Sequence, residues 1–195
     1  NYLDEKLGAD NKPNGKPYKD GAYYSGKEHV WDEGFGYWGA AANALNLSAK
    51  ENYEVAKMKN FAAADFNNDG EVDLKTEMTF AHAYYASSYD KGGKTNYLHT
   101  VTKAFVDGRK LIAAANSKNL TDAQRDQLVG YAAVISSNWE KVIAESVFKY
   151  AGSVYKDIGK LEGLLDSNGD TTKAFANYCK HWGELKGFSM AIQSG

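Results

Sequence analysis

The chain has 195 residues, and its 23 basic and 25 acidic residues leave a net charge of −2. This length suits one domain or two small ones, and the scattered basic residues argue against nucleic-acid binding, which needs clustered Lys and Arg. No apolar run approaches the roughly 20 residues that a membrane-spanning helix needs. The only cysteine, Cys179, excludes an internal disulfide framework, and its apolar helical context predicts a small core residue.

Residues 1–28 are predicted to be an irregular N-terminal segment, because Asn, Gly, Lys, Pro and Tyr dominate its composition. The chain opens at Asn1 without a methionine, and we interpret this segment as an interior loop of a longer precursor. Residues 29–195 are predicted to form one helical bundle domain. The N-terminal portion of the same precursor is then an expected partner, because nicks fall in exposed loops and leave buried interfaces in place.

Helical periodicity runs through the rest of the chain, and no alternating strand pattern stands out. Ser48 is a predicted N-cap, and Thr121 opens a capping box with the glutamine three residues later. The segment 121–165 is too long for one ordinary helix, and Gly152 or Gly159 is expected to kink or divide it. The predicted helices cover residues 29–47, 48–63, 73–89, 95–117, 121–165 and 171–193. The sequence therefore predicts an all-α fold, a bundle of about six or seven helices.

The first predicted helix carries a candidate transition-metal site. His29, Asp32 and Glu33 share one face because residues at i, i+3 and i+4 are neighbours on a helix. Gly36 and Ala40 continue that face, which suits close approach of another helix rather than water. Imidazole and carboxylate together suit iron or another transition metal. The alternative is a helix terminus whose acids compensate the helix dipole and form a buried ion pair with Lys or Arg.

A second histidine–carboxylate pair is a candidate partner for the first, because three ligands from one helix rarely suffice for a metal. His181 and Glu184 lie at i and i+3 on the last predicted helix, and helical bundles build metal sites from facing helices. The alternative for His181 is a histidine packed in the core.

The sharpest cation motif follows the second predicted helix and resembles the EF-hand calcium loop. Gly70 at position 6 allows the tight turn, but position 12 is Thr76 instead of a bidentate glutamate, and Glu77 comes one residue later. A turn rich in Asp and Asn that only caps a helix is the alternative. The predicted calcium ligands are Asp65, Asn67, Asp69, the carbonyl of Glu71, Asp73 and Glu77.

Two strings carry a family resemblance: HVWDEGFGYWG at residues 29–39 and HWGELKGFSMAIQ at residues 181–193. They resemble the two signature segments of the bacterial domain-of-unknown-function family 4856 and, more distantly, the imelysin-like helical proteins. The resemblance implies an exported, often lipid-anchored protein in the periplasm or on the outer-membrane surface of a bacterium. It also implies a link to iron acquisition and, with it, an outer-membrane uptake partner.

Imelysin-like proteins carry a Gly-x-His-x-x-Glu motif that is proposed to bind metal. In this chain Gly26 stands one residue too early for that motif, and Asp32 replaces its glutamate while Glu33 is adjacent. The departures weaken any transfer of peptidase activity.

Three functions follow from these observations. The first is a non-catalytic extracytoplasmic metal-binding protein linked to iron or metal acquisition, with a structural calcium site. The second is a surface or ligand-interaction module without a transition metal, which an exposed aromatic patch favours. The third is an imelysin-like metallohydrolase, in which His29 and His181 hold the metal and Glu33 acts as general base.

Overall fold

The structure is a computed structural model, and it describes residues 13–193. This part of the chain is all-α, as the sequence predicts: it contains seven α-helices, one 3₁₀ turn at Ala44–Asn46 and an isolated bridge between Pro17 and Ser25, with no β-strand. In chain order the helices are α1 (Gly26–Trp38), α2 (Ala49–Ala56), α3 (Phe61–Ala64), α4 (Ala81–Asp90), α5 (Tyr97–Ala114), α6 (Asp122–Asp166) and α7 (Thr172–Gln193).

Helix α1 begins earlier and ends earlier than the predicted helix 29–47. A capping box starts it: the Ser25 hydroxyl accepts from the backbone N–H of Glu28, and the Glu28 carboxylate accepts from the N–H of Ser25. Gly39 ends it with a φ of +83°, where a Cβ would lie 2.8 Å from the carbonyl oxygen of Phe80. The left-handed conformation of Gly39 therefore ends the helix, and the contact with Phe80 leaves no room for a larger residue at this position.

The predicted helices 48–63 and 73–89 are both shorter in the structure. Ser48 caps α2 as predicted, but the chain leaves the helix after Ala56, and Met58 has a φ of +53°. Helix α4 begins only at Ala81, because backbone groups before it form hydrogen bonds with the segment that follows α1. The N–H of Ala42 donates to the carbonyl of Thr76, and the N–H of Phe80 donates to the carbonyl of Gly39.

Helix α6 runs for 45 residues without a break, so the predicted division at Gly152 or Gly159 is wrong. A glycine inside a helix costs only about 1 kcal/mol relative to alanine, which a long helix tolerates. No helix among residues 13–193 is both long enough and apolar enough to cross a membrane.

The chain forms two compact units, Asn1–Trp139 and Glu140–Gly195. In the first unit, α1 packs on α5 around fully buried aromatic and aliphatic side chains. The indole N–H of Trp31 donates to the carbonyl of Phe105 at 2.7 Å, and that of Trp38 donates to the hydroxyl of Thr102 at 3.1 Å. Buried indoles with satisfied N–H groups fix the register of the two helices.

The second unit contains the C-terminal part of α6 and the whole of α7, which run antiparallel. Tyr150 stacks on Phe188 with ring centroids 5.8 Å apart, while Asp157, two turns further along α6, contacts His181, two turns back along α7. The prediction of a core position for Cys179 is wrong, because its side chain is exposed.

Candidate functional site

The predicted calcium loop has buried carboxylates at both of its ends. Asp65 follows α3 and is 8% exposed, and Glu77 closes the loop and is 1% exposed. The two oxygens of Asp65 accept from the backbone N–H groups of Asp69 and Gly70 at 3.1 and 3.0 Å. Within residues 13–193 neither carboxylate forms a salt bridge, so no basic side chain compensates these two buried charges.

The Glu77 carboxylate reaches into the loop although it stands one residue beyond position 12. Its Oε1 accepts from the N–H of Asn67 at 3.4 Å, and its Oε2 accepts from the N–H of Asp73 at 2.8 Å. The side chain thus joins the first half of the loop to the second. In an EF-hand, the glutamate at position 12 likewise reaches back into the loop from its C-terminal end.

The middle of the loop is a tight turn built from short polar residues. The Asn67 amide oxygen accepts from the N–H of Asp69 at 2.9 Å, and the Asp69 carboxylate accepts from the N–H of Glu71 at 2.9 Å. Asn68 and Gly70 adopt the left-handed conformation, with φ of +61° and +88°. These are the residue types that accept this conformation at least cost.

Asp73 is directed away from the turn. Its carboxylate accepts from the backbone N–H of Lys75 and from the hydroxyl of Thr76, both at 2.9 Å, and these two hydrogen bonds lower its pKa. Glu71 stands at position 7, which supplies a backbone carbonyl in a calcium loop, and its side chain is exposed.

The loop lacks the flanking helices of an EF-hand. The four-residue α3 precedes it, and no helix follows until Ala81. Among residues 13–193 no three His, Cys, Asp or Glu side chains converge in an arrangement that holds a metal ion. The donor set still fits Ca²⁺ in kind, because it is all oxygen, and each carboxylate oxygen that accepts one N–H keeps a further lone pair.

The residues predicted to bind a transition metal on α1 form two separate sets of contacts, one through Asp32 and one through His29. Arg109 of α5 forms salt bridges with two acids that lie one turn apart on α1. Its Nε donates to both oxygens of Asp32 at 2.8 and 3.1 Å, and its Nη1 donates to Glu28 at 2.7 Å. Partial burial raises the pKa of Asp32, and the Arg109 guanidinium opposes that shift. The alternative predicted a buried ion pair with Lys or Arg; Arg109 is such a cation, but the side chain of Asp32 is 53% exposed.

His29 contacts aromatic rings rather than Asp32. Its imidazole stacks on Tyr18 with centroids 3.9 Å apart, and its Nε2 lies 3.8 Å from the carboxylate of Glu33. A cleft of about 170 Å³ opens beside the ion pair, between α1 and α5. It is lined by Trp31, Asp32, Phe35, Phe105, Val106 and Arg109.

His181 and Glu184, the second predicted histidine–carboxylate pair, belong to the second unit, and each of them contacts a different residue of α6. The His181 Nδ1 lies 2.6 Å from the carboxylate of Asp157, and the Tyr150 hydroxyl donates to Glu184 at 3.1 Å. The other oxygen of Glu184 is buried and has no hydrogen-bond partner among the described residues. The assignment of a transition metal to His29, Asp32, Glu33, His181 and Glu184 stays a prediction.

Sequence reasoning missed Arg109, Glu28 and Asp157 as partners of the predicted site residues. Glu28 carries a local signal, since it stands three residues after Ser25 in a capping box. Arg109 and Asp157 carry none, because they lie 77 and 24 residues from the side chains they contact.

Comparison of the chain with protein-family models, with curated proteins and with solved structures finds no match in any of the three. The resemblance to domain-of-unknown-function family 4856 therefore stays a prediction.

Proposed function

We propose that this protein binds one calcium ion at the Asp65–Glu77 loop and that the ion has a structural rather than a catalytic role. The observation that supports the proposal is the pair of buried carboxylates at the two ends of the loop, Asp65 and Glu77, which form no salt bridge with a basic side chain of residues 13–193. Burial of an uncompensated charge is costly, and a divalent cation removes that cost.

The structural role follows from the position of the loop. It connects the end of α3 with the segment that leads to α4, and it has no regular secondary structure of its own. Met78, directly after Glu77, is buried against Val55 and Ala64 in the core. An ion held by both ends of the loop would therefore keep Met78 in its packed position.

The affinity is expected to be modest. The loop departs from a full EF-hand in lacking both flanking helices and a glutamate at position 12, and Asp73 is directed outward. We expect a Kd of about 10⁻⁴ to 10⁻³ M, the range of extracellular calcium modules. Such an affinity suits the extracytoplasmic location that the family resemblance implies.

The test is isothermal titration of the chelator-treated protein with Ca²⁺, comparing Glu77→Gln with Glu71→Gln. Glu77→Gln removes a ligand charge and is expected to weaken binding at least tenfold. Glu71→Gln changes an exposed side chain of the same loop whose residue contributes only a carbonyl, and it is expected to leave the Kd within about twofold.

Circular dichroism checks that both variants fold, and Asp69→Asn, at an exposed position in the loop, serves as a second ligand variant if Glu77→Gln does not. Absence of Ca²⁺ binding by the native protein at millimolar concentration would overturn the proposal. Equal weakening by Glu77→Gln and Glu71→Gln would overturn the ligand assignment.

A further inference from the structure

The second unit exposes a row of large apolar side chains along α6. Phe148 is 77% exposed, Tyr155 is 80% exposed, Ile158 is 41% exposed and Leu165 is 66% exposed. The neighbouring face of the same helix is buried, with Tyr150 at 7% and Val154 at 9%. Three of these four side chains are more than half exposed, and exposed apolar patches are typical of interaction surfaces.

Helix α7 carries a matching row. Phe175 is 57% exposed and Trp182, seven residues later, is 49% exposed. Cys179 lies between them on the same face and is also exposed. Residues seven apart return to nearly the same side of a helix, so this row runs along the helix axis.

The two rows lie on one side of the hairpin. At 3.6 residues per turn, the exposed apolar side chains of α6 lie between about 80° and 180° from Asp157, and those of α7 lie about 100–120° from His181, in the same rotational sense along each chain. The contacts of Asp157 with His181 and of Tyr150 with Phe188 define the line of contact between the helices, and together they show that the helices are antiparallel. Equal rotation on antiparallel helices turns both rows to the same side.

The charged residues of the hairpin are distributed unevenly. The side opposite the apolar rows carries exposed lysines, whereas the apolar side carries two exposed acids, Glu162 and Asp166, and one exposed base, Lys186. Lysines that face away from the apolar side would gain nothing from an anionic membrane, which therefore fits poorly. The lysines of the opposite side are Lys149, Lys156, Lys160, Lys173 and Lys180.

The apolar side carries one pair of opposite charges, Glu162 and Lys186, that a second copy can complement. Along the hairpin Glu162 and Lys186 lie about 10 residues apart, or about 15 Å at 1.5 Å per residue, with Tyr155 and Trp182 near the midpoint. A two-fold axis through that midpoint, in the plane of the interface and perpendicular to the line that joins Glu162 to Lys186, places Glu162 of one copy opposite Lys186 of the other. It also brings the Cys179 side chains of the two copies close to the axis.

The exposed area is compatible with such a pair. The four aromatic side chains expose about 500 Å² together, taking about 200 Å² as the full area of each. Ile158 and Leu165 add to this, and a standard interface buries roughly 800 Å² per partner.

We propose that the apolar side of this hairpin, formed by Phe148, Tyr155, Ile158, Leu165, Phe175 and Trp182, pairs with the same surface of a second copy of the chain. The pair is a two-fold dimer in which Glu162 of each copy faces Lys186 of the other. This proposal is independent of calcium binding, because all its residues belong to the second unit.

The test is sedimentation velocity over a range of protein concentrations. The native chain is expected to be dimeric at micromolar concentrations, and Trp182→Lys is expected to weaken dimerisation at least tenfold because it places a charge at the centre of the apolar side. Lys180→Glu changes an exposed residue on the opposite side of the same helix and is expected to leave the dimer intact.

A charge exchange distinguishes this pairing from non-specific association. Glu162→Lys and Lys186→Glu are each expected to weaken the dimer, and the double variant is expected to restore it, since the complementary charges are exchanged. Mild oxidation is expected to cross-link the native dimer through Cys179. A native chain that stays monomeric at 100 μM, or a double variant no better than the single ones, would overturn the proposal.

Discussion

Gly108 of α5 lies directly against the indole ring of Trp31 of α1. A Cβ on Gly108 would lie 2.7 Å from Cε2 of the ring and closer still to Cζ2, well inside van der Waals contact. The ring is held by its hydrogen bond to the carbonyl of Phe105 and is 1% exposed. The absence of a side chain at position 108 therefore sets how closely the two helices approach.

Replacing Gly108 with alanine is expected to destabilise the first unit. The added methyl group forces the Trp31 ring or the backbone of α5 to shift, which costs about 1–3 kcal/mol. Gly36→Ala in α1 is the matched control, since a Cβ there meets nothing within 4 Å. It is expected to raise the free energy of unfolding by about 0.5–1 kcal/mol. Urea denaturation of both variants measures the difference, and equal stabilities would contradict this account of the helix contact.

Asp90, at the end of α4, caps the start of α5. Its carboxylate is 2% exposed and accepts from the backbone N–H groups of Tyr97 and Leu98 at 3.0 and 2.7 Å. Asp90→Ala leaves these donors buried without partners and is expected to cost about 2 kcal/mol. Asp126→Ala removes an exposed carboxylate in α6 and is expected to change the free energy of unfolding by less than about 0.5 kcal/mol. A loss below 0.5 kcal/mol in Asp90→Ala would rule out this role.

His82 is expected to make stability depend on pH. Burial lowers the pKa of its imidazole below the ordinary value of 6.5, so the unfolded chain binds a proton more readily than the folded chain. The stabilisation is fully present above pH 6.5 and is lost as the pH falls through the lower pKa of the folded state. His82→Gln is expected to flatten this dependence in urea denaturation series.

The imidazole can also be titrated directly by NMR. Its ring lies 5.2 Å from that of Trp139, so the fluorescence of that indole offers a second readout. A measured pKa for His82 at or above 6.5 would contradict the prediction.

Arg109 is expected to hold together the acids of α1. Arg109→Met leaves Glu28 and Asp32 as unpaired like charges one turn apart, and we expect a loss of about 1 kcal/mol at pH 7. The pKa of Asp32 is already raised by burial, and it is expected to rise further because Arg109 opposes that shift. A carboxyl whose folded pKa is raised loses stability as the pH rises through that pKa, so the deficit of the variant should be smaller at pH 3 than at pH 7.

Lys110→Met provides the comparison for Arg109→Met, because Lys110 is the adjacent exposed base on the same helix. Its free energy of unfolding is expected to stay near the native value at both pH values. A deficit in Arg109→Met that does not change with pH would show that lost packing, rather than charge, carries the effect.

The sequence by itself determined the features that depend on neighbours within a few residues. The all-α character and the start of α2 at Ser48 could be predicted, because helical periodicity and capping boxes are local patterns. The order of Asp, Asn and Gly in the loop after α3 is equally local, and the structure forms a tight turn there.

Only the tertiary structure decided where α1 ends, how α4 begins and which residues meet the acids of α1. The backbone N–H of Phe80 donates to the carbonyl of Gly39, 41 residues earlier in the sequence, and Arg109 donates to Asp32, 77 residues earlier. No local pattern records such pairs, because they arise from helix packing in three dimensions. Glu77 could be predicted only in part. The sequence places it one residue after position 12 of the loop, and only the folded loop shows that its carboxylate accepts from the amides of Asn67 and Asp73.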